Sequence, residues 1–91
     1  MVLSDQQLKE LSSLASALTP VSDIAVLMGL DEDALRVELE IPDSPARQAF
    51  RKAVAETSLA IRRREIEFAK MGSPLAVQSA TSFISIISED L

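Results

Sequence analysis

The side chains best suited to chemistry in this sequence are its cations. Of nine Lys and Arg residues, seven lie between Arg47 and Lys70, and an eighth, Arg36, stands just ahead of them. Positive charges set along a helix can track a phosphate backbone, and each neutralised phosphate releases a counterion. At helical spacing Lys52, Arg63 and Lys70 share one face, while Arg47, Arg51 and Arg62 line another. The triplet at 62–64 wraps around the axis and is no patch by itself. A plainer use competes. Lys52–Glu56 and Arg63–Glu67 are i,i+4 pairs and Glu67–Lys70 is an i,i+3 pair. Such pairs solubilise a helix and add only about 0.3 kcal/mol each. The candidates for contact with DNA are therefore Arg36, Arg47, Arg51, Lys52, Arg62, Arg63 and Lys70.

Little other chemistry is provided for. The chain has no His, Cys, Tyr or Trp, which removes the usual general bases, thiolate nucleophiles and imidazole ligands. Asp31-Glu32-Asp33 lacks the spaced oxygens and the glycine of a calcium loop. Two glycines, Gly29 and Gly72, are too few for a phosphate-binding loop. The expectation is a protein that is not an enzyme and has no catalytic residues, no metal site and no cofactor.

Charge is unevenly spread. Residues 1–44 carry nine acids against two bases, and residues 45–91 five acids against seven bases. Hydrophobic residues make up 47% of the sequence, with a mean hydropathy of +0.19. A chain this short hides only about 60% of its unfolded surface, so an apolar surplus points to subunits packing together. No apolar run approaches the roughly 20 residues that span a bilayer, and the opening "MVLSDQQ" does not read as a signal peptide. The expected location is cytoplasmic, with no membrane partner.

The elements that must position these side chains read as helices throughout. Ser4 and Gln7 form a capping box ahead of Leu8, Leu11, Leu14, Ala15 and Leu18. "LTP" closes that helix, with Thr19 as the next cap and Pro20 as first helical residue. Gly29 stops the second helix after Met28. Asp31 caps a third, whose first turn places Glu32 and Asp33 at the positive end of the helix dipole. "EIPDSP" breaks the chain, and Ser44-Pro45 restarts it. From Pro45 to Met71 nothing interrupts a helix of about 40 Å. Gly72 ends it, and Ser73-Pro74 opens a last helix to about Ser88. "SFISIIS" is β-branched enough to suggest a strand, but a lone strand has no partner and helix prevails.

The long helix has two apolar stripes: Phe50, Val54, Thr57, Ile61 and Phe68 on one side, Leu59 and Ile66 on another. Two stripes need two partners: the last helix can cover one, and either the N-terminal bundle or a second subunit must cover the other. The last helix is apolar nearly all round, so Leu59, Ile66, Phe83, Ile84 and Ile87 are expected to meet a second subunit. The fold class is all-α: an N-terminal three-helix, helix-turn-helix bundle over 1–43, then a long helical hairpin over 44–91 that joins copies.

In "VSDIAVLMGLDEDALRVEL" Ile24, Met28, Leu30 and Leu35 hold the buried positions of a helix-turn-helix, and Ala25 and Gly29 the small ones. Glu38 stands where the motif wants its last apolar residue. Followed by "RQAFRKAVAETSLAIRRREIEFAKMGSPLAV", this pattern resembles the small terminase subunits of tailed phages and related prophage helix-turn-helix proteins. The corner "AKMGSPLAV" looks like the turn of their hairpin, and the resemblance covers roughly residues 19–85. It implies a ring-forming, DNA-binding packaging component that recognises viral DNA and delivers it to the large terminase ATPase subunit in the host cytoplasm. Two other readings stay open. The acidic third helix suits a scaffold that binds a basic protein, and the same bundle suits a small dimeric transcription regulator.

Overall fold

The computed structural model describes residues 1–91 and contains five helices and no strand. They are α1 (Asp5–Ser16), α2 (Val21–Met28), α3 (Glu32–Glu40), α4 (Pro45–Lys70) and α5 (Pro74–Asp90). Four of them begin where a short side chain satisfies a backbone N–H that the helix itself cannot. Ser4 Oγ accepts from the Gln7 N–H at 3.1 Å, while Gln7 Oε1 accepts from the Ser4 N–H at 2.9 Å. Asp31 Oδ2 accepts from Ala34, Ser44 Oγ from Arg47 and Ser73 Oγ from Ala76, at 2.9, 3.0 and 3.4 Å. The segment "SFISIIS" is helical.

The start of α2 differs from expectation. Thr19 does not cap it; Pro20 occupies the cap position without a side-chain hydrogen bond, and Val21 is the first helical residue. The reason lies in how α1 ends. The Leu18 and Thr19 N–H groups donate to the carbonyls of Ala15 and Leu14, closing a Schellman motif that commits Thr19 to the preceding helix. The same bond pattern ends α2, with Leu30 N–H on Ala25, and α4, with Ser73 N–H on Phe68. The motif needs one left-handed residue. Gly29 (φ 67°) and Gly72 (φ 92°) supply it freely, whereas Leu18 (φ 58°) adopts it against the clash of its own Cβ.

The chain divides into two units, residues 1–57 and 58–91, and α4 contributes to both. In the first, α2 packs against α1 and α3. Leu11, Ile24 and Leu35 lie wholly inside, joined by Leu3, Ala25 and Ala46 and flanked by Leu8, Leu14, Met28, Leu30 and Phe50. Ala46 and Phe50 are on α4, so its opening turns belong with the N-terminal helices. The division therefore falls between Thr57 and Ser58, beyond the α3–α4 corner at 43–44. The Thr57 hydroxyl completes the first unit by donating to the Ser16 carbonyl at the end of α1. In the second unit the only buried residue is Ala76.

Candidate nucleic-acid interface

The first unit gathers three of the candidate cations on one cleft. Arg36 comes from α3, Arg47 and Arg51 from α4, and together with Val21, Leu39, Glu40 and Phe50 they line an open space of about 280 Å³. Two anchors fix the elements that carry them. Leu35, fully buried, fixes the rotation of α3 and turns Arg36 outward. The corner between α3 and α4 is held by Ser44, a buried side chain that works in both directions. Its hydroxyl donates to the Glu38 carbonyl at 2.8 Å and accepts from the Arg47 N–H at 3.0 Å. Two helix ends are thereby satisfied by one oxygen.

The three arginines are not equivalent. The Arg47 side chain is half-buried, and its Nη1 donates to the Leu39 carbonyl at 3.0 Å, a cation on the C-terminal end of α3. Its first task is structural. Arg36 Nε lies 3.1 Å from Glu32 Oε2, an exposed i,i+4 pair that holds little energy and yields readily to a better anion. Arg51 forms no ion pair and is exposed. The cleft is a guanidinium rim over an apolar floor, with one carboxylate, Glu40, beside it. It holds no nucleophile and no proton-transfer pair. What it can do is grip an anion bidentately while an apolar or planar group rests on the floor.

Comparison with models of known families, with curated proteins and with solved structures finds no match in any of the three.

The remaining candidates lie elsewhere. Lys52 faces a separate shallow cleft with Ser12, Ala49, Ala53 and Glu56, and its ammonium is 3.9 Å from Glu56. In the second unit the Arg62 guanidinium lies over the Phe83 ring, 5.6 Å from its centroid. Arg63 and Lys70 are exposed. The expected Arg63–Glu67 and Glu67–Lys70 pairs do not close, since fixing two long side chains in water offsets most of what the contact returns. Arg64, absent from the sequence-derived set, stacks on Phe68 at 5.6 Å, and its i,i+4 spacing to that ring was the available signal.

The acidic triplet on α3 is put to local use: Asp31 caps the helix and Glu32 pairs with Arg36. Glu38, where an apolar residue is usual, lies 3.7 Å from the Met1 ammonium. Among the expected subunit-contact residues, Leu59 and Ile66 are 45% and 40% exposed, Ile84 and Ile87 66% and 60%, and Phe83 is half-buried under Arg62. No helix is long and apolar enough to cross a membrane, and no cluster of acids is placed to hold a metal ion.

Proposed function

We propose that this chain is a DNA-binding protein that acts as an assembly of copies, in the manner of a small terminase subunit that marks viral DNA for packaging. The observation that carries the reading is the convergence of Arg36, Arg47 and Arg51 from two helices onto one cleft. In this reading α1–α3 form a helix-turn-helix bundle, and α4 with α5 form the hairpin through which copies meet. Phosphate is gripped at the α3–α4 corner by Arg36 and Arg51. The N-terminus of α3 stays out of the groove, because Asp31 and Asp33 would face a polyanion there. One copy offers few phosphate contacts, so useful affinity comes from several copies on one duplex. A large terminase ATPase is the protein partner such an assembly would serve, and catalysis is left to it.

Filter binding of a duplex at about 50 and 200 mM salt tests this, since few contacts still imply a marked salt dependence. The expected result is binding at low salt that weakens at high salt. Arg51→Ala should lower affinity for every sequence alike and reduce the salt slope by about one. Absence of binding at low salt ends the DNA reading. A second reading is favoured by the exposed acids Asp31 and Asp33 and by Glu40 at the cleft: a helical scaffold for a basic protein. A polylysine peptide that binds where DNA does not would select it. Light scattering separates packaging from a dimeric regulator, a ring of about eight or more copies against two.

A further inference from the structure

The last helix carries a seam that its own chain leaves open. Val77, Ala80, Ile84 and Ile87 fall at i, i+3, i+7 and i+10, the a and d positions of a coiled-coil repeat. Val77, Ile84 and Ile87 are all exposed, the last two by more than half, and Ala80 between them is half-buried. Beside the seam, Ala76 is buried and Phe83 lies under Arg62, so those side chains are already engaged within the unit.

Three further observations say what covers the seam. Residues 71–88 contain no charged side chain, so nothing in them repels a like surface. The flanking hydroxyls of Thr81 and Ser88 donate to the carbonyls of Val77 and Ile84, at 2.9 and 3.0 Å. Polar groups satisfied within their own helix can be taken out of water at small cost. Finally, Glu89 and Asp90 stand at the C-terminal end of α5, where the helix dipole is already negative.

We propose that the seam binds the same seam of a second copy, with the two α5 helices antiparallel. Antiparallel pairing sets Glu89 and Asp90 of one copy against the opposite α5 N-terminus, the positive end of that helix dipole, with Lys70 just ahead of the turn. Parallel pairing would bring four carboxylates together. Packing agrees with charge. Antiparallel layers place Val77 on Ile87 and Ala80 on Ile84 of the second copy, so that the smallest residue of the seam faces a large one. Parallel layers would stack Ala80 on Ala80 and Ile84 on Ile84, leaving a void beside a bulge. The pairing is two-fold and by itself closes at two copies; a ring needs a second contact elsewhere on the chain, and then holds an even number of copies. It rests on the self-association in the proposed function and specifies its geometry.

The absence of cysteine makes cross-linking a clean test. Val77→Cys chains carrying a mass tag are mixed with untagged Ile87→Cys chains and oxidised mildly. Antiparallel pairing yields the mixed disulfide and little of either homodimer, because the two copies of residue 77 are then about 15 Å apart and a disulfide needs Cβ atoms about 4 Å apart. Homodimers of each variant, in yield matching the mixed species, would overturn the proposal in favour of parallel pairing. Light scattering on the unmodified chain separates the two levels. Assembly without any cross-link sinks the seam and leaves self-association standing, whereas a monomer sinks both. Ile84→Asp, which leaves the first unit untouched, should weaken self-association about tenfold or more. An unchanged mass at all concentrations would likewise overturn the proposal.

Discussion

Residues 1–57 and 58–91 use apolar side chains in opposite ways. The first unit places Leu11, Ile24 and Leu35 wholly out of water and surrounds them from α1, α2, α3 and the start of α4. The second buries one alanine and leaves Leu59, Ile66, Ile84 and Ile87 substantially exposed. The charge follows the same line. The second unit has four bases against four acids, a net of zero, so the whole net charge of −5 resides in the first. One part of the chain folds around its own core; the other leaves most of its large apolar side chains in solvent. Stability should therefore be lost by core mutations in the first unit, and association by surface mutations in the second.

The sharpest way to break that contrast is to cut into the first core. Leu35→Ala should cost about 3 kcal/mol in urea unfolding, from lost transfer energy and the cavity left behind. A loss below about 1 kcal/mol would mean that the first unit is as loosely packed as the second. Ser44→Ala comes next, at about 1.5 kcal/mol, because it removes the cap of α4 together with the shorter of the two hydrogen bonds to the Glu38 carbonyl. A smaller effect, of opposite sign, belongs to Leu18→Gly. It relieves the left-handed strain at the end of α1 and should raise the unfolding midpoint by the equivalent of about 0.5–1 kcal/mol; a lower midpoint would show that the half-exposed leucine packs more than it strains. Smallest of all, Ile84→Ala should change the unfolding free energy of dilute protein by less than about 0.5 kcal/mol. A loss comparable to that of Leu35→Ala would erase the distinction between the units.

What could be read from the sequence was whatever depends on near neighbours. Ser4, Asp31, Ser44 and Ser73 announce helix starts because their hydroxyl or carboxylate reaches only three residues ahead. Gly29 and Gly72 announce ends because glycine alone enters the left-handed region without cost. Leu18 does the same job with no local signal, since the hydrogen bonds that hold it there override its preference, and the cap assigned to Thr19 failed for that reason. The cleft was half legible. Arg47 and Arg51 are one helical turn apart, but Arg36 joins them only through the folding of α3 against α4. Nothing in the sequence showed that Arg47 is tied to the Leu39 carbonyl, because that bond spans a corner whose angle is set by tertiary packing.

The segregation of charge has an outcome at the scale of the solution. Each molecule joins a unit of net charge −5 to one whose charges cancel, so the first units hold neighbouring molecules at a distance that shrinks as ions are added. For the function proposed above, salt then works in two directions at once, weakening contacts with phosphates while letting the apolar faces of α5 approach. On the proposed function, the ionic conditions that favour association are those that disfavour DNA binding.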